Sequence, residues 1–125
     1  MLEKLSESSG PVVGYKTVGK VTAEDYKQLV PEIEALSDKY VDGIYVLIDL
    51  QEFSGEEAKA WGPDLKFGRE FHNKIARMAI VGDKRWEKWL TSLVDPFYAK
   101  EGKYFHSDEI DQAWAWLRED KQLPQ

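Results

Sequence analysis

Two aspartates follow the two most apolar segments of the sequence, and they are the first candidates for chemistry. Asp49 comes directly after residues 44–48, and Asp83 follows residues 75–82. Ligands of open α/β sheets bind at the carboxyl ends of the strands, where paired carboxylates could hold Mg²⁺ or act as acid and base. The alternative is that Asp83 caps a helix and Asp49 belongs to a turn. The capping preference of aspartate favours this alternative, so we expect no metal here.

The other residue types that serve in catalysis form no recognisable arrangement. His72 and His106 are the only two histidines and lack the spacing of a metal site, and the chain contains no cysteine. Nucleophile-elbow, Walker and dinucleotide-binding glycine motifs are also missing. We therefore predict a protein that is not an enzyme and has no cofactor. An enzyme using Asp49, Asp83 and His106 would require these groups to meet in one cleft.

A surplus of aromatic residues is the strongest indication of a binding function. The chain has five Trp, six Tyr and five Phe, and an excess of aromatic side chains can line a pocket or a contact patch. A tightly packed core is the alternative, because aromatic stripes at helical spacing are usually core. Gly62-Pro63 and Gly68 interrupt the helical segment 56–73, which could therefore hinge as a lid. The predicted ligand-binding residues are Trp61, Leu65, Phe67, Phe71, Trp86 and Trp89.

A second helical segment begins at Asp83 and combines basic with aromatic residues. Such a helix can seat on a membrane interface, although the net charge of −6 limits any attachment to a weak, reversible one. A solvated helix face is the alternative. The predicted membrane-contact residues are Lys84, Arg85, Lys88, Leu90 and Phe97.

Length and composition limit the remaining function classes. A chain of 125 residues has the usual size of one domain, and we assign residues 1–125 to a single domain. Its net negative charge opposes binding to phosphate backbones, so we expect no nucleic-acid partner. The absence of cysteine favours a reducing compartment, and residues 1–10 lack the apolar stretch of a signal peptide. These features predict a cytoplasmic protein, with peripheral attachment to the membrane left open.

Hydrophobic periodicity predicts the elements that must position these residues. Strands are expected at 2–7, 12–18, 44–48, 75–81 and 103–105, and helices at 23–36, 56–73, 83–94 and 108–117. Thr22 and Asp25 resemble a capping box for the first helix. Pro31 predicts a kink in that helix or two abutting helices, and Gly62-Pro63 predicts a break in the next one. The order predicts an α/β fold, in which an antiparallel hairpin and alternating strands and helices form a mixed five-stranded sheet with four helices.

Several segments resemble the SpoIIAA-like family of small proteins, which are related in fold to the anti-sigma-factor antagonist (STAS) domains. The resemblance covers residues 1 to about 118 and lies in 48–50, in 77–83 with the following Trp86, in Asp95-Pro96-Phe97, in Tyr104-Phe105 and in 113–117. It implies a STAS-like α/β sandwich and a comparison with lipid-binding CRAL-TRIO domains, whose mobile helix opens an apolar pocket. It implies no established catalytic residues.

The resemblance also directs attention to Ser54. STAS phosphoswitch domains carry a phosphorylatable serine at the start of the helix that follows the central strand. In the matching stretch, residues 53–57, Ser54 alone keeps the hydroxyl. Glu56 and Glu57 place two negative charges beside it, which disfavours an added phosphate.

Two functions follow as hypotheses. The first is a non-catalytic binding module that holds a small apolar or lipid-like ligand under a movable helix and attaches weakly to membranes. The alternative is a regulatory protein-protein interaction module of the STAS type, with a partner switch at Ser54. A homodimer stays open as well, because aromatic residues such as Tyr98 or Trp116 would suit its contact.

Overall fold

The fold is built on one mixed sheet of five strands in the order β1-β2-β3-β4-β5. The computed structural model describes residues 2–56, 61–82 and 100–119, without the side chains of 54–56 and 61–65. The strands are β1 (Leu2–Lys4), β2 (Val12–Val21), β3 (Ile44–Glu56), β4 (Ile75–Gly82) and β5 (Glu101–His106). β1 is antiparallel to β2, and all other neighbours are parallel. This confirms the predicted α/β class and the N-terminal hairpin.

Three helices lie in the described part of the chain. They are α1 (Ala23–Lys39), α2 (Trp61–Phe71) and α3 (Ile110–Leu117), and a single 3-10 turn (Ser107–Glu109) precedes α3. The fourth predicted helix, at 83–94, lies outside the described residues. No helix in the described ranges is long and apolar enough to span a membrane.

Both faces of the sheet are buried, because alternate side chains of the central strands point to opposite sides. On the face covered by α1 and α2 (the α1/α2 face), the core consists mainly of Val13, Tyr15, Val46, Leu50, Phe53, Met78 and Ile80 with Leu29, Ile33, Phe67 and Phe71. On the face covered by α3 (the α3 face), it consists of Val12, Tyr45, Leu47, Ala79, Val81 and Phe105 with Ala113, Trp114 and Leu117. The continuous apolar runs of β3 and β4 therefore belong to strands covered on both sides, as predicted.

Strand lengths differ from those expected. β1 ends at Lys4, three residues early, because the chain turns at Leu5, whose carbonyl accepts hydrogen bonds from the Ser8 backbone N–H at 3.2 Å and the Ser8 hydroxyl at 2.7 Å. β3 continues eight residues beyond the predicted end at Ile48, up to Glu56. Pairing with the ten-residue strand β2 extends it, and this outweighs the local turn preference of residues 54–55.

The two prolines do not break their helices. α1 is one continuous helix of 17 residues with Pro31 inside it, so the alternative of two abutting helices is wrong. The buried side chains of Leu29 and Ile33 hold both sides of Pro31 to the sheet. α2 begins at Trp61, which places Pro63 in its first turn, where backbone N–H groups have no intrahelical acceptor. The predicted break at Gly62-Pro63 is therefore absent.

The capping box at the start of α1 is confirmed. The Asp25 backbone N–H donates to Thr22 Oγ1 at 3.2 Å, and the Thr22 backbone N–H donates to Asp25 Oδ2 at 2.8 Å. Burial of Asp25 raises the pKa of its carboxyl, but the hydrogen bonds from Thr22 favour the charged form, and the pKa falls below its ordinary value.

Asp25→Asn should therefore lower stability in a pH-dependent way. A carboxyl whose pKa is depressed by folding contributes stability above its unfolded pKa, about 3.9, and loses that contribution as the pH falls through the folded value. Urea unfolding of the wild type and of Asp25→Asn should give a difference in the free energy of unfolding at neutral pH, and this difference should shrink below about pH 4. A difference that stays constant on acidification would contradict this assignment, and Glu24→Gln, one residue away, is the control.

Gly14 permits a close contact between the sheet and Trp114 of α3. A Cβ at this position would lie 2.4 Å and 2.8 Å from two ring carbons of Trp114. We expect Gly14→Ala to destabilise the fold by about 1–3 kcal/mol through overpacking. Thermal unfolding of Gly14→Ala, Trp114→Leu and the double variant measures this loss of stability. Because leucine is smaller than tryptophan, Trp114→Leu makes room for the methyl group added at position 14. The double variant should therefore lose less stability than the sum of the two single variants. Additive effects would contradict the contact.

Candidate functional site

The end of β3 is the most irregular part of the sheet. β3 pairs with β4 only as far as Asp49, opposite Val81, whereas its pairing with β2 continues to Glu56. We call residues 50–56 the β3 end. Two register shifts interrupt its pairing with β2, and in both cases β3 contains the extra residue. Such bulges bend a strand and increase its twist, and they are common beside functional sites.

Ser54 is the extra residue of the second bulge. Gly19 pairs with Phe53 and Lys20 pairs with Gly55, so no β2 residue stands opposite Ser54. Gly19 has a φ of 70°, a conformation that residues with a Cβ rarely adopt. The main chain on both strands is therefore adapted to this irregularity, which lies immediately before the connection to α2.

The surface beside the β3 end carries a pair of opposite charges. Lys16 Nζ forms an ion pair with Glu52 Oε2, and the Glu52 side chain is 53% exposed. The hydrogen bond to Glu52 and its negative charge raise the pKa of Lys16. Such an exposed pair contributes little to stability. Breaking it to form a contact with another molecule would therefore cost little free energy.

Asp49 lies within β3, paired with both neighbouring strands, and its carboxylate makes local hydrogen bonds to Gln51. Its side chain is buried, Oδ1 accepts a hydrogen bond from the Gln51 backbone N–H at 3.0 Å, and Oδ2 accepts one from Gln51 Nε2 at 3.1 Å. This local bonding to the residue two positions later is typical of an Asx turn. Asp83 lies outside the described residues.

Asp49 and His106 do not meet. Asp49 and Phe105 both pair with Val81, whose side chain lies on the α3 face. His106 follows Phe105 and therefore points to the other face, where its ring packs against Tyr104 with centroids 5.4 Å apart. The cleft that the enzyme hypothesis required does not form between these two residues. In the described ranges, no group of three His, Asp or Glu residues could hold a metal ion.

Two of the predicted ligand-binding residues are described, and both are core residues. Phe67 is 6% exposed and Phe71 is 1% exposed. Their ring centroids are 5.0 Å apart, and Phe67 also contacts Tyr26 of α1 at 6.2 Å. These rings fill the space between α2, α1 and the sheet, as in the alternative of a packed core.

The other predicted contact residues cannot be placed beside them. Trp61 and Leu65 lie on α2, but their side chains are not among those described. Trp86 and Trp89, and the membrane-contact set Lys84, Arg85, Lys88, Leu90 and Phe97, lie outside the described residues. The membrane contact stays a prediction.

A cleft at the amino end of the parallel strands was not foreseen. It has a volume of about 380 Å³ and lies between the β1-β2 connection with the start of β2 and one stripe of α1, where Glu32, Ala35, Leu36 and Lys39 line it. We call it the β2-α1 cleft. Its two walls are at least 19 residues apart in the sequence, and only the i, i+3, i+4, i+7 spacing on α1 hints at a shared face.

A buried phenol lies near this cleft. Tyr15 is 4% exposed, and its hydroxyl has no well-aligned hydrogen-bond partner. Burial raises the pKa of Tyr15, and the negative charge of the nearby Glu32 raises it further. Glu32 in turn forms an ion pair with Lys4, with 2.9 Å between Nζ and Oε1.

Two solved structures are similar to this chain. One is an uncharacterised protein of the DUF3478 family with a SpoIIAA-like fold from Shewanella loihica PV-4, with 30% identity, coverage of 94% of this chain and 90% of that one, and a TM-score of 0.69. The other is the anti-sigma factor antagonist SpoIIAA in its unphosphorylated form, with 10% identity, coverage of 91% and 98%, and a TM-score of 0.61. The second likeness shows the fold alone. Among curated proteins, no match was found.

These structures do not support the comparison with CRAL-TRIO domains. The mobile helix of that comparison corresponds to α2, whose described aromatic side chains are buried. Truncating an aromatic ring that only gates a pocket would hardly change the stability of the ligand-free protein, whereas truncating a core ring would lower it.

Phe71→Ala should accordingly destabilise the ligand-free protein by about 3–5 kcal/mol, because it removes a fully buried ring. Chemical denaturation measures the change, and Phe71→Leu should lose less. A loss below about 1 kcal/mol for Phe71→Ala would contradict the core assignment and revive the lid.

The family assignment rests on sequence as well as on fold. The family model described as SpoIIAA-like matches residues 12–118, which include every described strand except β1 and all three described helices. The Shewanella protein adds 30% identity over nearly the whole chain. This chain belongs to the SpoIIAA-like family.

Proposed function

We propose that this chain is a non-catalytic regulatory module that binds a partner protein through the β3 end around Ser54. The observation that carries the proposal is the bulge that leaves Ser54 without a cross-strand partner on β2. A regular strand would place this residue opposite β2, whereas a bulge can direct a side chain away from the ladder. The separation of Asp49 from His106 fits a module without catalysis.

The similarity in fold to SpoIIAA supports a regulatory role. That protein is an anti-sigma factor antagonist, and its structure is that of the unphosphorylated form. Because only the fold is shared at 10% identity, partner binding is carried to this chain as a proposal.

Charge sets the kind of contact that we propose. Glu52, Glu56 and Glu57 surround Ser54 in the sequence, and the whole chain has a net charge of −6. Like-charge repulsion disfavours a phosphate at Ser54. We therefore propose that the unmodified Ser54 hydroxyl contacts the partner directly. Electrostatic complementarity then favours a partner with a basic surface.

A small apolar or lipid-like ligand under α2, with weak membrane attachment, is a less supported function. Phe67 and Phe71 occupy the space that such a ligand would need. The homodimer contact at Trp116 also stays a prediction.

The partner can be identified by photo-cross-linking in cells. A photoreactive amino acid at Glu52, whose side chain is 53% exposed, should cross-link to one defined protein. The same amino acid at Glu24, with a side chain 76% exposed at the start of α1, is the control and should not. Equal cross-linking from both positions, or none from Glu52, would contradict a contact at the β3 end.

Variants of Ser54 then test the role of the hydroxyl. With the cross-linked partner purified, Ser54→Arg should weaken binding at least about tenfold, because it places a positive charge against the basic surface proposed for the partner. Ser54→Ala should change the affinity by only a few fold. Calorimetry measures both, and Ser6→Arg, at an exposed serine of the β1-β2 connection, controls for the change in net charge. Equal effects of Ser54→Arg and Ser6→Arg would count against the proposal.

A further inference from the structure

The β2-α1 cleft has the size and lining of a site for a small molecule. Its volume, about 380 Å³, falls in the lower part of the range for ligand pockets, roughly 300–1000 Å³. It lies at the amino ends of the parallel strands, at the opposite end of the sheet from the β3 end. A ligand here would leave the proposed partner surface uncovered, so the inference does not rest on the proposed function.

The cleft has an apolar wall. Val13 is 3% exposed, and Leu36 is partly buried against the same core. Ala35 lies beside them on α1 with its methyl group accessible. These three side chains can cover a short hydrocarbon chain.

The polar groups of the cleft leave one positive charge without an acidic partner. Lys4 and Glu32 neutralise each other at 2.9 Å. Lys39 also lines the cleft, and among the described residues no carboxylate lies within ion-pair distance of it. Its ammonium is 5.6 Å from the centre of the Tyr40 ring, a contact that leaves the charge in place.

The buried Tyr15 hydroxyl lies close enough to Glu32 for the carboxylate to raise the pKa of Tyr15 further than burial alone does. Glu32 also lines the cleft, and its carboxylate already pairs with Lys4 at 2.9 Å. The carboxylate of the cleft is therefore engaged by protein groups and is not free to hold an added cation.

We propose that the β2-α1 cleft binds a small amphipathic carboxylate, with its hydrocarbon chain on Val13, Ala35 and Leu36 and its carboxylate at Lys39. The free charge of the site is positive, which favours an anion over an ammonium ion of the same length. The apolar wall favours an anion with a chain over an inorganic one.

The probe is octanoate, kept below its micelle concentration, with octylamine and octanol as probes of equal chain length. Titration of ¹⁵N-labelled protein followed by NMR should move amide signals of residues 8–10, 13–14 and 32–39, and octanoate should bind most tightly of the three. Octylamine binding as tightly as octanoate, or shifts located elsewhere in the fold, would overturn the proposal.

Two variants separate the charge from the cavity. Lys39→Gln should weaken octanoate about two- to fivefold, the effect of one exposed ion pair, and leave octanol unchanged. Lys27→Gln, an exposed lysine on the same helix paired with Glu24, is the matched control and should have no effect. Ala35→Trp should block all three probes by filling the cleft, with circular dichroism confirming that the variant is folded. Equal octanoate affinity for Lys39→Gln and Lys27→Gln would reject the carboxylate at Lys39.

Discussion

β3 is the central strand of the sheet, and the burial of both of its faces is the constraint on which the rest of the structure depends. Ile44, Val46 and Leu50 contribute to the core beneath α1 and α2, whereas Tyr45 and Leu47 contribute to the core beneath α3. A shift of one residue in the register would exchange the two sets, so the pairing is strongly specified. This register holds Asp49 on the α3 face and separates it from His106.

The constraint relaxes where β4 ends. Beyond Asp49, β3 keeps only its pairing with β2, and within this stretch the two bulges occur. Irregular main chain is tolerated here because β4 no longer fixes the register, although Leu50 and Phe53 stay buried. The proposed partner contact uses this segment, and the part of the sheet that is covered on both faces supports it. A single strand thus combines a regular segment paired on both sides with an irregular segment paired on one side.

Local sequence predicts elements well where burial and local preference agree. The apolar runs of β3 and β4, the capping box of Thr22 and Asp25 and the stripe of α1 were all predictable for this reason. The length of β3 was not predictable, because residues 54–55 locally favour a turn, whereas pairing with β2, which is distant in the sequence, extends the strand. Pro31 was misleading because tertiary packing holds α1 together. The β2-α1 cleft was unpredictable, because its walls meet only in the folded chain.

The central claim is that a partner protein binds at the β3 end while the core beneath α2 stays closed. Hydrogen-deuterium exchange of the chain, alone and with its cross-linked partner, tests it most directly. The account predicts slow exchange of α2 residues 66–71 in both samples, and new protection confined to residues 50–56 and the paired segment 18–21. Fast exchange of α2 in the free protein, or partner protection confined to α3, would contradict the account.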